Sequence, residues 1–415
     1  MRYRINEQMV LTCMPKEGPV GPIAPHLRSF AQFLSEQGYE RRYVRRQLML
    51  AACFSSWLKQ RRVRLCCIRC EHPAQYLRCR HRDRQAVPGD SPAFNHLMAF
   101  LRAKRTIAQQ KHPASRLTPA ERCTQSYERY LRDNRALAKA TIINYVPFIR
   151  DFLKDRFGDE AVKLSRLRAA DIIRFVQRRA RHLHVKRAKL MTTALRSFFL
   201  YTRMRGQITL DLSAAVPIVA SWSMASIPRA IAPEQTQKLL ASVDRKSAVG
   251  RRDYAILLML ARLGVRAGEV ASLELNDIDW SAGELTVRGR RGRRIQMPLP
   301  ADVGKAIAAY LRHGRPQCAS RRVLRAKAPI RGFDGAGCVG SMVRHRLQRA
   351  GIAAPTYGAH QFRHGLASDM LCRGASLAEI GAVLGHQHPD TTRIYTKIDL
   401  KSLHTLAQRW PGGVP

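Results

Sequence analysis

The chain has 415 residues, 45% of them hydrophobic and 25% charged, which is enough apolar material for two or three packed domains and excludes a disordered chain. Its 73 Lys and Arg against 30 Asp and Glu leave a net charge of +43 and a pI near 11.1, a self-repelling balance that calls for a polyanion, with nucleic acid the first candidate. A membrane surface fits less well, because the charge runs along the whole chain instead of gathering on one amphipathic helix, and no apolar stretch reaches transmembrane length.

The start, MRYRINEQMVLTCMPKEG, has no apolar signal core, so the ten cysteines are expected as reduced thiols of a cytoplasmic protein held on the nucleoid by DNA. Residues 1–24 read as a tail, and 25–115 as a helical module. Within the module, residues 27–62 place Phe30, Phe33, Leu34, Leu48, Ala52 and Trp57 at helical spacing. The next stretch, CCIRCEHPAQYLRCRHR, contains Cys67, Cys70, Cys79 and His81. These are zinc-ligand types, but the Cys-x-His pair is tighter than finger spacing. Free cysteines in a basic, DNA-contacting segment are the first reading and a zinc site the second. Residues 127–153 repeat the earlier pattern: Phe33-Leu34 and Trp57-Leu58 are answered by Tyr130-Leu131 and Phe152-Leu153, a weak repeat of a helical hairpin. Two further helices with basic residues between their apolar positions complete a second helical domain over 119–221. Small residues, serines and prolines then mark a linker at 222–232.

From Pro233 onward helices mix with a little strand, defining a third domain over 233–415. RDYAILLMLARLG reads as a buried helix that Gly264 ends. ELTVRGRRGRRIQMPLP, residues 284–300, reads as a β-hairpin. Helices resume through ADVGKAIAAYLRHG, GSMVRHRLQRAG, AHQFRHGLASDMLCRG and SLAEIGAVLG to the stretch around Tyr395. The predicted class is mainly α with a small β-hairpin or sheet, the last domain being α+β.

LARLGVRAGEVASLELNDIDW, HQFRHGLASDML and LGHQHPDTTRIYTKIDL, in this order, resemble the signature boxes of the tyrosine recombinases, also called phage integrases. The resemblance is close over about residues 230–411, and the block at 119–221 looks like the family's SAM-like core-binding domain. It implies a site-specific recombinase of the integrase or transposase type. Its helical N-terminal domains and catalytic domain would close on DNA as a C-shaped clamp, as a homotetramer on paired sites. Cleaving a phosphodiester without metal requires a nucleophile, cations for the nonbridging oxygens and an acid for the leaving 5′ oxygen. By resemblance Tyr395 is that nucleophile, forming a 3′-phosphotyrosyl ester, and no cofactor is needed. Arg266 and Arg363 clamp the phosphate, since guanidinium groups donate bidentately and stay charged. His360 corresponds to the general base or proton shuttle, and His386 to a ligand of the phosphate or the nucleophile. Glu269 corresponds to the acid that orients Arg266, although it could equally pair with another nearby arginine. His364 and His388 are expected to support the boxes or face solvent.

One position departs from the family's pattern. Where the hairpin usually carries a lysine as general acid, RGRRGRR presents Arg290, whose pKa is too high to release a proton readily. Either Arg290 works by charge, another group supplies the proton, or cleavage is slow. That departure sustains a second reading, a recombinase-derived DNA-binding accessory protein with weak or no catalysis. A third is a topoisomerase, which would relax DNA without synapsis. The tail KSLHTLAQRWPGG, with Leu403, Leu406 and Trp410 on one face, would dock either on its own subunit or on a neighbour.

Overall fold

The computed structural model describes residues 20–83, 90–108, 117–220, 228–289, 293–325, 328–333 and 335–398. Contacts divide the chain into two compact units, Lys111–Ala225 and the combination of Met1–Gln110 with Ser226–Pro415.

The first residues form a helical core of their own. After a 3-10 turn at Ala24–His26 come α1 (Leu27–Glu36), α2 (Arg41–Gln60), α3 (Glu71–Asp83) and α4 (Asp90–Ala103). Ile23, Phe30, Leu34, Leu48, Phe54, Phe94 and Leu101 are among its buried residues, so the stripe expected over 27–62 folds as two helices.

The unit Lys111–Ala225 contains α5 (Pro119–Arg129), α6 (Lys139–Phe157), α7 (Ala169–Ala180) and α8 (Val185–Met204). Thr118 starts α5 with a reciprocal cap: its hydroxyl accepts from the Glu121 backbone N–H, and the Glu121 carboxylate accepts from that of Thr118. Tyr127, Leu131, Phe152, Phe175, Phe198 and Phe199 fill the centre.

The remaining elements are α9 (Pro233–Ala241), α10 (Ala248–Leu263), α11 (Ala267–Ser272), β1 (Ile278–Asp279), β2 (Glu284–Arg288), β3 (Arg294–Pro298), α12 (Ala301–His313), α13 (Ala336–Arg349), α14 (His360–Cys372), α15 (Leu377–Leu384) and α16 (Pro389–Thr392). A 3-10 segment, Arg393–Ile398, follows. α10 is the central strut: Ala255 through Leu260 are all buried, and it packs on α12, α13 and α14. The expected hairpin is β2 and β3, paired antiparallel with Val287 opposite Ile295 and Leu285 opposite Met297. β1 adds a third strand on the far edge of β2, too short at two residues to show a period-two pattern in sequence. Residues 221–227, which take in the first part of the linker expected at 222–232, and the tail 399–415 lie outside the described residues.

Candidate active site

The site forms where α10, α14 and α15 end or begin beside one another. α10 stops at Gly264, whose φ of +59° is left-handed, and a Cβ there would come within 2.8 Å of Leu384 and 2.9 Å of Leu366. Glycine is therefore required both for the backbone turn and for the close approach. The turn leaves the Gly264 carbonyl without a helical partner, and Arg363 Nη1 donates to it at 2.8 Å. Arg363 Nη2 donates to the carbonyl of Leu384, the last residue of α15. One guanidinium thus joins two helix ends through two of its five N–H donors. It is 3% exposed. Desolvation and then the charge of Arg266 lower its pKa to about 10, against the pull of Glu269, so it stays charged at neutral pH.

Arg266 is the N-cap of α11 and not a helix-interior residue. Its Nη1 donates to Glu269 Oε1 at 2.9 Å, and its backbone N–H donates to Oε2 at 2.8 Å. Glu269 is buried and Arg266 about one-third exposed, so a fixed carboxylate holds the base of a cation that still reaches solvent.

Tyr395 sits in the 3-10 segment at 2% exposure, packed among Ala367, Ile380 and Leu384. Its hydroxyl lies 3.0 Å from His364 Nδ1. Burial raises the phenol pKa, and the charges of Arg363 and Arg266 pull it back down. The expectation that His364 only supports the boxes or faces solvent is therefore corrected: it is the imidazole on the tyrosine. A signal for this existed in the sequence. His360 and His364 are one helical turn apart on α14 and flank Arg363, and their rings meet edge-on at 4.6 Å.

The histidine expected near the tyrosine has a different partner. His386 Nδ1 lies 2.7 Å from Thr392 Oγ1, which leaves Nε2 for another ligand. His360 begins α14 and is exposed. Desolvation lowers its pKa, and Arg363 and Arg266 lower it further. Desolvation and adjacent cationic or imidazole groups lower both His364 and His386 to about 4. His388 is exposed.

Arg290 lies outside the described residues. Its hairpin neighbours do reach the site: Ile295 of β3 packs so closely on Gly385 (φ +61°) that a Cβ there would come within 2.7 Å. Of the candidate metal ligands, Cys67 and Cys70 are exposed and Cys79 is half-buried, while the side chain of His81 is outside the described set. Among the described residues no group of three or more His, Cys, Asp or Glu converges on a metal position.

Profiles described as "Phage integrase family" and "Phage integrase, N-terminal SAM-like domain" match residues 229–401 and 124–206. A Sinorhizobium fredii protein named as an integrase/recombinase, y4rA, is 53% identical over 415 residues, 99% of each chain. The chain belongs to the phage integrase family. This tyrosine recombinase is also 25% identical to a protein of Anoxybacillus flavithermus named tyrosine recombinase XerC, over 65% of its own length and 90% of that relative's. Among solved structures it resembles the XerH site-specific recombinase (TM-score 0.55, 18% identity, 75% of this chain and 94% of that one). It also resembles lambda integrase 75–356 (TM-score 0.53, 16% identity, 71% and 98%). These structural likenesses establish the mainly helical fold with its small antiparallel sheet. No described helix is long and apolar enough to cross a membrane.

The depressed histidines give the recombinase a pH-dependent stability. In the unfolded chain His364 and His386 titrate near their ordinary value, so below about 6.5 the unfolded state binds more protons than the folded one. Their stabilisation is complete above that pH and is lost as pH falls toward 4. Melts of the DNA-free protein should show Tm falling between pH 7 and pH 5, with a shallower fall in a His364→Gln, His386→Asn double variant. An identical fall in both proteins would assign the acid lability to other groups.

Proposed function

We propose that this recombinase cuts and rejoins double-stranded DNA with Tyr395 as the nucleophile, Arg266 and Arg363 as the phosphate clamp, and His364 as the acceptor of the phenol proton. One arrangement carries the reading. A tyrosine at 2% exposure has its hydroxyl 3.0 Å from an imidazole that is neutral at pH 7, beside a buried arginine that stays charged.

A phenol with a raised pKa is a poor nucleophile until a base takes its proton. His364 supplies that base. As Oη bonds to phosphorus, its proton passes to Nδ1, the bond from phosphorus to the 5′ oxygen breaks, that oxygen takes a proton relayed from solvent by the exposed His360 and leaves as a 5′ hydroxyl, and the strand is held as a 3′-phosphotyrosyl ester. The negative charge gathering on the nonbridging oxygens is met by Arg363, by Arg266 in the position Glu269 fixes, and by His386 through Nε2. His360 serves as the exposed proton shuttle. Arg290 contributes charge at the leaving oxygen, without proton donation. The ester conserves the bond energy, so attack by a free 5′ hydroxyl reverses the step. Rejoining to a new partner needs a second cut duplex, and a homotetramer on paired sites meets that need. Because a nucleophile, a base and a clamp are all retained, the accessory-protein reading is the weaker one.

The test mixes the purified recombinase with nicked duplexes that carry the DNA flanking its gene. A protein–DNA band stable to denaturation is the expected result. If DNA is demonstrably bound and no such band forms, the accessory reading gains. His364→Gln keeps hydrogen-bonding capacity but cannot take a proton at neutral pH. It should slow single-turnover cleavage about 100-fold and make the rate climb with pH where the wild type is flat. A uniform slowing with an unchanged pH profile would reduce His364 to a packing role.

A further inference from the structure

Residues 20–107 lie outside both matched family ranges, yet their packing repeats that of the SAM-like domain. The ring pairs Phe30–Phe100 (5.3 Å), Phe33–Phe100 (5.4 Å) and Phe54–Tyr76 (5.4 Å) have counterparts in Tyr127–Tyr201 (5.5 Å), Tyr130–Tyr201 (4.7 Å) and Phe152–Phe175 (5.2 Å). The connections match as well. Gly38 and Ala136 both take positive φ between the first two helices of each set, as do Arg105 and Gly206 after the last. A 3-10 turn precedes the third helix in each, within VRLCCIR at 63–69 and VKLSRLR at 162–168. The third helix then begins the same way, with Arg69 N–H donating to His72 Nδ1 and Arg168 N–H donating to Asp171 Oδ2. In the last helix the buried positions Ala93, Phe94, Leu97, Met98, Phe100 and Leu101 fall on Ala194, Leu195, Phe198, Phe199, Tyr201 and Thr202, all buried. This full correspondence sets the register of the repeat: Phe152 answers Phe54, and not Trp57 as the sequence pattern suggested.

The two copies differ where they meet solvent. On α2, Arg42, Arg45 and Arg46 are exposed, where the second copy has Ala140, Ile143 and Asn144. With Arg80 of α3 they line a cleft of about 480 Å³. At its base is Asp90, 5% exposed, in the place that the apolar Met191 takes in the second core. Its carboxylate accepts from Arg46 Nη2 at 3.0 Å and pairs with Arg80 at 3.5 Å. A carboxylate buried in a core is costly unless paired. Here it holds two guanidinium groups at the rim of an open, positively charged cleft.

We propose that residues 20–107 are a second copy of the SAM-like domain, and that the Arg42, Arg45, Arg46 and Arg80 cleft binds backbone phosphates of duplex DNA outside the segment being cut. The proposal deepens the recombinase reading and rests on it for the identity of the polyanion. Spacing on one helical face brings Arg42, Arg45 and Arg46 to a single strand of phosphates, and phosphate contacts fix register without reading sequence.

The full chain is compared with the Arg42→Ala, Arg45→Ala, Arg46→Ala variant. Both are titrated onto a fluorescent duplex of arbitrary sequence over a range of KCl, and both are tested for covalent product on the nicked substrate at low salt. Removing one phosphate-neutralising side chain flattens the dependence of log K on log[KCl] by about 0.9, so the variant's slope should be shallower by about 2 to 3 while it still forms covalent product. Replacing the same three residues by Lys should restore the slope. An unchanged slope in the Ala variant overturns the site. So does a flattening that the Lys variant fails to reverse, because phosphate binding requires only charge at those positions. Failure of the recombinase reading would look different: wild-type protein would give no covalent product, and the comparison of slopes would still decide the cleft.

Discussion

Tyr395→Phe should yield no covalent product on any nicked substrate, a fall of about 10⁴-fold or more, the scale on which removal of a nucleophile acts, while it should bind the same duplex as the wild type. The substitution deletes one oxygen from a ring that is 2% exposed and packed among Ala367, Ile380 and Leu384, so the packing volume is kept. The oxygen's partner, His364 Nδ1, loses a hydrogen bond. That costs about 1 to 3 kcal/mol if the nitrogen is left dry, and less at this half-buried ring, which water can reach. Tm should therefore change little, and a denaturing gel run beside a binding titration separates lost chemistry from lost fold. If covalent product persists in the Phe variant, the nucleophile is another residue and the roles of Arg363 and His364 fall with it.

The pieces of this site were unequally legible in the sequence. Tyr395, Arg266 and Arg363 lie in short boxes that resemble those of the tyrosine recombinases, and such a resemblance can be read without coordinates. The helix that ends at Gly264 and the hairpin over 284–300 were also legible, because a buried apolar run stopped by glycine, and β-branched residues around a turn, are local patterns. What the sequence hid is tertiary. Which histidine meets Tyr395 depends on how the 3-10 segment docks on α14, and three of the nearby histidines look equivalent in a string. Arg363 reads as a phosphate ligand, but its ties to the carbonyls of Gly264 and Leu384 link residues far apart in the chain. The tandem domain was half visible. The helical hairpin repeats in sequence, but the later helices share buried positions and few residue identities, so the ring pairs and turn geometry are what extend the match to the whole module.

Those ties make Arg363 the position where structure and chemistry are hardest to separate, and two substitutions together divide them. Arg363→Ala removes a guanidinium that is 3% exposed. It leaves two carbonyls without a donor and a void between α10, α14 and α15. Losing two charge-assisted hydrogen bonds costs about 3 kcal/mol or more, so Tm should drop well below that of the wild type and cleavage should vanish. Arg363→Lys keeps the charge, but an ammonium on a flexible stem cannot reach both carbonyls and still face a phosphate as a planar fork does. Its cleavage rate should fall about 100- to 1,000-fold, the scale for losing a principal electrostatic donor at a transition state. Affinity for duplex DNA should stay within a few-fold, since one of many phosphate ligands is altered and its charge is retained. Single-turnover cleavage, Tm and a binding isotherm on each variant test this. Wild-type cleavage by the Lys variant would mean that Arg363 serves only to staple the helix ends, and the phosphate clamp would then have to be rebuilt around Arg266, His386 and the hairpin.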